Sequence, residues 1–296
     1  MIYIVKDIVI IIKTNMSTGK NLTTLNSYSQ LNQDVNVLDF FSNKSGLYFV
    51  DIGANDGKTL SNTFLLEHKY KWDGICSEPL PEAYEKLTKC RNVIYDSHAV
   101  FNESGLQLDF SKSDLLSGIT NCIDKHTHAK MGSKIKVNTI TLQDLLDNYQ
   151  APSTIHYLSL DTEGSELHIL QSVDFTKYKF LYMNLEHNYI EPRRTNIRKL
   201  LLDNGYLYKG ENKWDDDYVH ESTLVGTYYF NQDYTKPIVI KRDGPKLFTV
   251  SSPYWNSDTG VYEDGVIKWS LRGTGKLFFS HIDYGYGNIW HRDERK

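Results

Sequence analysis

The chain has 296 residues, 40% of them hydrophobic and 24% charged, with 19 Gly, which excludes a disordered, collagen-like or low-complexity polymer. Its 33 Lys+Arg against 37 Asp+Glu leave a net charge of -4, so no basic excess points to nucleic acid as a partner. Three cysteines, Cys76, Cys90 and Cys122, lack paired or Cys/His spacing; that argues against a disulfide framework or structural zinc and fits reduced thiols.

The opening MIYIVKDIVIIIK is short and interrupted by Lys6 and Asp7, whereas a membrane span takes about 20 apolar residues. No small-residue cleavage site follows it. Residues 1–27 are therefore read as an extension, with Met16 as an alternative start, and the expected location is the cytoplasm, with no membrane span.

From 46 to 230 strands alternate with helical patterns, the signature of βαβ units and a mostly parallel sheet. Leu47–Ile52 is an apolar strand ending in Asp51-Ile-Gly-Ala-Asn-Asp-Gly57, and Leu60, Phe64 and Leu65 then recur at helical spacing. Trp72–Cys76 ends at Glu78-Pro79, and Pro81 opens a helix carrying Tyr84 and Leu87. Val93–Tyr95 and Leu106–Phe110 read as strands. Thr141 is a plausible N-cap for a helix with the stripe Leu142, Leu145, Leu146, Tyr149. Ile155–Leu160 is a strand closed by Asp161-Thr-Glu-Gly-Ser-Glu166, followed by a helix with Leu167, Ile169 and Leu170. Phe180–Leu185 is the next strand, ending in Glu186-His187-Asn188. Pro192–Asn204 is a helix closed by Gly205. Thr223–Phe230 is expected to pair antiparallel with Tyr206–Tyr208 at the sheet end. Beyond it, Ile238–Ile240, Leu247–Val250, Val266–Trp269 and Leu277–Phe279 are short β-type runs separated by turns. Residues 28–231 thus read as one α/β domain and 232–296 as a small all-β appendage.

In an open parallel sheet, ligands bind beyond the carboxyl ends of strands where the strand order switches. Three strand ends here carry acids: Asp51, Glu78 and Asp161. The turn Asp51-x-Gly53-x-x-x-Gly57 lets backbone approach a ligand closely. Glu78 lies 27 residues after Asp51, one β-turn-α-β step, where a carboxylate accepts both hydroxyls of a ribose. The glycine pattern that binds a pyrophosphate is missing, and Asp51 and Asp56 would repel phosphate. A ribose-containing, phosphate-free cation such as S-adenosylmethionine meets these conditions; NAD does not.

Phe49-Val-Asp-Ile-Gly-Ala-Asn-Asp-Gly57, Ser61-Asn-Thr63, Trp72-x-Gly74-Ile-Cys-Ser-Glu-Pro79, Tyr157-Leu-Ser-Leu-Asp-Thr-Glu-Gly-Ser-Glu166 and Leu185-Glu-His-Asn188 together resemble the FkbM-type methyltransferases. Ser29-Gln-Leu-Asn-Gln-Asp34 is similar to the opening segment of many members, with Asn32 where glycine is usual. The resemblance covers roughly 29–207. It implies a class I, Rossmann-like fold and S-adenosylmethionine as cofactor, usually for O-methylation of sugars or natural products. Carried over to this chain, Asp51, Gly53, Ala54, Asn55 and Gly57 would form the methionine-side turn. Glu78 would hold the ribose with Pro79 behind it, His98-Ala99-Val100 would lie near the adenine, and Asp161 would close the pocket.

An alcohol acceptor needs alignment and a base. His187, oriented by Glu186 or Asp161, is one candidate base; the alternative is that Glu-His-Asn is only a hydrogen-bonded loop. Glu163 joins His187 and Glu186 as a candidate catalytic residue. Asp161, Glu163 and Glu166 also allow two readings: a divalent-cation site, for which Asp161 and Glu163 are the candidates, or acids placed at a helix N-terminus. His126 and His128 sit in a polar loop that is expected to be solvated or to cover the acceptor. Tyr254, Trp255, Tyr262, Trp269, Phe278, Phe279, Tyr284, Tyr286 and Trp290 crowd the C-terminal part, as the core of a β module or as a carbohydrate- or partner-binding face. The expected function is S-adenosylmethionine-dependent O-methyl transfer to a small-molecule or glycan hydroxyl. The competing expectation is a non-catalytic binding protein built on the same scaffold.

Overall fold

The computed structural model describes residues 26–230, 237–253, 255–270, 273–278, 281–284 and 289–292. The proposed extension up to residue 25, and Tyr254, Phe279 and Tyr286 of the aromatic tail, lie outside them. The first helix, α1 (Gln33–Phe40), precedes β1 (Tyr48–Ile52), α2 (Phe64–Tyr70), β2 (Asp73–Ser77), α3 (Pro81–Cys90) and β3 (Ile94–Asp96). Then come β4 (Ala99–Phe101), β5 (Gln107–Lys112), β6 (Gly118–Ile119), β7 (Ser133–Thr141), α4 (Leu142–Asn148), β8 (Thr154–Leu160) and α5 (Glu166–Leu170). The domain closes with β9 (Lys179–Glu186), α6 (Arg193–Asp203), β10 (Tyr206–Asn212) and β11 (Asp215–His220).

Seven strands form one sheet in the order β3-β2-β1-β8-β9-β11-β10. The first five are mutually parallel, and β11 runs antiparallel to both β9 and β10. Phe49 and Val50 of β1, with Ile155, Tyr157 and Leu158 of β8, are buried because helices cover both faces of a parallel sheet. Pro81 opens α3, and the Thr141 hydroxyl accepts the Asp144 N–H at 3.0 Å to cap α4, as its sequence predicts. A four-stranded sheet, β4-β7-β5-β6, flanks the main one.

One strand assignment is corrected. The antiparallel partner of β10 is β11, not Thr223–Phe230. Its Asp215-Asp216-Asp217 run is polar by type, yet all three acids are buried because each meets donors. Gln33 donates to Asp215, Arg194 and Arg198 pair with Asp216, and Tyr182 and Asn184 donate to Asp217.

Gly226–Phe230 is instead β12, the first strand of a closed eight-stranded antiparallel barrel completed by β13 (Pro237–Arg242), β14 (Leu247–Ser252), β15 (Trp255–Glu263), β16 (Val266–Trp269), β17 (Gly273–Leu277), β18 (His281–Asp283) and β19 (Ile289–Arg292). Closure of β12 on β19 leaves no edge strand. Tyr228, Ile240, Phe248, Val250, Tyr262, Trp269 and Trp290 are buried, and the barrel's apolar interior runs into a core shared with Leu207, Val219 and Leu224 of the α/β domain. Of the aromatic tail, Tyr262, Trp269 and Trp290 are thus core residues. Arg292 ties the barrel to the preceding segment by donating to the carbonyls of Thr223 and Val225 at 2.6 and 2.8 Å.

Candidate active site

The strand order reverses between β1 and β8, and a cavity of about 510 Å³ opens at the carboxyl ends of the strands around that point. Asp51, Gly53, Ala54, Asn55, Glu78, Asp161, Glu163 and Glu186, all singled out from the sequence, line it. Pro79 and Ala99 line a small adjoining pocket with Val100, Phe110 and Ile119. Gly57 stays outside both. Its φ is +79°, and a Cβ there would meet Leu87 Cδ1 at 2.6 Å, so it serves the packing of the turn on α3. His98 is turned to Asp96, 3.0 Å from its Oδ1.

On the β1–β2 side the acids are held by neutral donors. Asp51 is buried and accepts the Thr63 hydroxyl at 2.6 Å. Burial raises its pKa, with Thr63 and Arg91 opposing. Glu78 accepts the Asn55 N–H on one oxygen at 2.9 Å and the Leu80 N–H on the other at 2.7 Å. Burial still pushes its carboxyl up to about 7. Gly53 makes this crowding possible: its φ is +86°, and a Cβ would fall 1.9 Å from the carbonyl oxygen of Asp161. Arg91, which the sequence reading missed, is buried beneath the turn and donates to the Gly57 carbonyl and the Thr63 hydroxyl, both at 3.0 Å. Basic residues at strand-helix junctions are common enough that nothing in the sequence marks this one.

On the β8–β9 side the acids face one another. Asp161, Glu163 and Glu186 each place a carboxylate oxygen within 4.8 Å of the others. Asp161 is open to the cavity yet crowded by protein; that crowding, then Asp215, Glu163 and Glu166, holds its carboxyl well above the usual range. Glu186 is buried, and burial followed by Asp161 raises its pKa strongly. Glu163 is pushed up to about 7 by burial and Glu166, with Arg193 relieving it in part. Glu166 itself is not part of this group. Its carboxylate accepts from Thr162 and Gly164 backbone N–H at 3.0 and 3.1 Å and pairs with Arg193, which fixes the 161–166 turn.

His187 is brought next to the site but not into it. Its ring is buried, Nδ1 accepts the Tyr189 N–H at 2.9 Å, and Nε2 lies 3.5 Å from Asp216 Oδ1. Nδ1 therefore carries no proton, and burial depresses the ring's pKa. The neighbouring Asn188 and Tyr189, with φ of +50° and +59°, do line the cavity.

The roof comes from the polar loop between β5 and β7: Asp114, Leu115, Leu116, Ser117, Lys125 and His126 face the cavity. The segment before α1 closes another side with Gln30 and Gln33. Asn32 has φ +59° and ψ +28°, the left-handed conformation glycine supplies at this place in similar sequences and asparagine tolerates best among other residues. Gln33 belongs to the Ser29–Asp34 segment singled out above, whereas Trp214, which also lines the cavity, carries no sequence signal of its own, because only the pairing of β11 with β9 brings it here.

This sheet order with its single antiparallel strand, and an acid-rimmed cavity at the switch point, define a class I methyltransferase-type domain. The methyltransferase FkbM domain matches residues 51–208, and the chain belongs to that family. The methyltransferase FkbM from Methylobacillus flagellatus KT has a structure similar to it at 13% identity and a TM-score of 0.39, over 59% of this chain and 44% of that one. This chain thus spans less than half the length of that protein. A precorrin-6y C5,15-methyltransferase from Geobacter metallireducens GS-15 is similar at 12% identity and a TM-score of 0.35, over 63% of this chain and 87% of that one. No curated protein matches.

The family implies S-adenosylmethionine as methyl donor, and the residues fit it. Six acids line the cavity against Lys125 and His126, a balance that favours a cation and disfavours phosphate. Asn62 Oδ1 and Asn188 Nδ2, on residues that line it, are buried without a hydrogen-bond partner among the described residues, as polar atoms at a ligand site are. Among the described residues no helix is long and apolar enough to cross a membrane.

Proposed function

We propose that this chain is an S-adenosylmethionine-dependent O-methyltransferase whose acceptor is a hydroxyl of a saccharide, glycan or other natural product. One observation carries the reading: Asp51, Glu78 and Asp161, from three strand ends, meet at one phosphate-averse cavity. The donor supplies a methyl carbon on a sulfonium. Glu78 and the backbone of Gly53–Asn55 would hold its nucleoside and amino-acid parts, and the apolar pocket of Pro79, Ala99 and Val100 its base. Glu78 is suited to this because its backbone bonds leave lone pairs on both oxygens for a diol.

The acceptor side favours a neutral nucleophile. A carboxylate or phosphate acceptor would be repelled by six acids, whereas Gln30, Gln33, Ser117 and Asn188 offer hydrogen bonds to hydroxyls. Tyr189, half-exposed, and Trp214 offer faces for a sugar ring. A base with a pKa near neutrality suits removal of a hydroxyl proton. Glu163, near 7, is so placed, with Glu186, raised strongly by burial and Asp161, beside it; as the oxygen–methyl bond forms and the sulfonium–methyl bond breaks, leaving a neutral thioether, the O–H proton would pass to one of these carboxylates. His187, with Nδ1 engaged and Nε2 turned to Asp216, would act through the shape of the loop that carries Asn188.

Thermal melting with S-adenosylmethionine and, in parallel, with NAD tests the reading. A ligand at 100 times its Kd stabilises the native state by about 2.7 kcal/mol, so S-adenosylmethionine should raise Tm by several degrees and NAD should not. Stabilisation by NAD alone overturns it.

A further inference from the structure

The three carboxylates at the ends of β8 and β9 are gathered more tightly than holding a nucleoside requires. Asp161 comes from the end of β8, Glu163 from the turn after it and Glu186 from the end of β9, with one oxygen of each within 4.8 Å of the others. Glu186 is 6% exposed, and its Oε2 has no hydrogen-bond partner among the described residues. A buried carboxylate oxygen left without a donor costs free energy, and elsewhere around this cavity that cost is met. Asp51 has Thr63, Glu78 has two backbone N–H groups, Glu166 has Arg193, and Asp216 has two arginines. Arg193, the nearest guanidinium, is spent on Glu166, Asp124 and the carbonyls of Glu186 and His187. Among the described residues no lysine, arginine or histidine forms an ion pair with Asp161, Glu163 or Glu186.

We infer that Asp161, Glu163 and Glu186 form a binding site for one hard divalent cation of the Mg²⁺, Mn²⁺ or Ca²⁺ class. An all-oxygen, carboxylate-rich donor set selects such ions over zinc or copper. Asp161 is the exposed member of the trio, and Glu163 and Glu186, though buried, line the same cavity. Three protein ligands leave coordination positions for water or for two adjacent oxygens of an acceptor. A cation here would bind an acceptor hydroxyl and make it more acidic. The cation's role in turnover rests on the methyltransferase reading; the site itself rests on the trio alone.

The test uses the full chain and Mn²⁺, followed by loss of the free-ion electron paramagnetic resonance signal, with S-adenosylmethionine binding measured by thermal shift in EDTA on the same preparation. One Mn²⁺ should bind per chain, Mg²⁺ should compete, and Glu186→Gln and Asp161→Asn should each weaken binding about tenfold or more. Glu82→Gln, on an exposed acid paired with Lys112, should not. If either variant melts abnormally, Glu163→Gln replaces it. No bound Mn²⁺, or binding that all three substitutions leave intact, overturns the site. S-adenosylmethionine binding in EDTA without Mn²⁺ binding would remove the cation and leave the methyltransferase reading standing; Mn²⁺ binding without S-adenosylmethionine binding would do the reverse.

Discussion

The two walls of the cavity are built on opposite principles. At the ends of β1 and β2, Asp51 and Glu78 are each met by hydroxyl or backbone donors that fix the carboxylate before any ligand arrives. At the ends of β8 and β9, Asp161, Glu163 and Glu186 are met chiefly by each other. The first wall is preorganised, so little ordering remains to be done on binding. The second stores like-charge repulsion that a proton or a cation relieves. On the proposed reading, methyl transfer uses both: one side to hold a donor still, the other to change its charge state with the acceptor.

Breaking the second wall should have the largest effect. Glu186→Gln removes the capacity to accept a proton with little change of shape, and turnover, followed as labelled methyl passed to an acceptor-containing extract, should fall about 10²–10⁴-fold, the usual contribution of a positioned base. Affinity for S-adenosylmethionine should change only a few-fold. Equal loss of both would mean the walls are not separate devices.

Breaking the first wall should give the converse. Glu78→Ala removes charge-assisted hydrogen bonds to a ribose, each contributing about 1.5–3 kcal/mol. Titration calorimetry should show binding of S-adenosylmethionine weakened about 10²-fold or more. Unchanged affinity would place the nucleoside elsewhere.

The pH dependence of stability sharpens the contrast. Glu78 ionises near 4.5 when unfolded and near 7 when folded, so between those values the native state holds the extra proton. Its contribution is present below about 4.5 and is lost as pH rises toward 7. In urea melts, parent and Glu78→Gln should therefore converge or cross as pH falls from 7 to 5, by on the order of 1–3 kcal/mol. A difference independent of pH would contradict the buried, proton-holding carboxyl.

The smallest effect is expected at His187, which touches neither wall's ligand face. His187→Asn should lower turnover less than about tenfold and leave the pH profile of turnover in place. A fall of 10²-fold or more, at the level of a positioned base, would restore His187 as the base.

Much of the first wall was legible in the order of residues. Asp51, Gly53 and Glu78 lie within one β-turn-α-β unit, so spacing alone brings them together. The second wall was legible only in part. Glu163 and Glu166 sit in one short turn and look equivalent in sequence, yet Glu166 turns to Arg193 from α6 while Glu163 stays in the cavity. β11 is absent from the strands read in the sequence, and its acids show a similar dependence: Asp215, Asp216 and Asp217 are polar by type and buried by partnership.

From its residues alone this chain determined an alternating parallel sheet, the glycine-acid turn, the carboxylate at the next strand end and an all-β module after them, because each depends on local spacing, periodicity or backbone freedom. Tertiary structure decided which acids acquired donors and which were left to one another, that His187 faces Asp216, and that Gly226–Phe230 closes a barrel. Those outcomes depend on strands and helices far apart in the chain, and a side chain's charge state follows from the neighbours that such packing supplies.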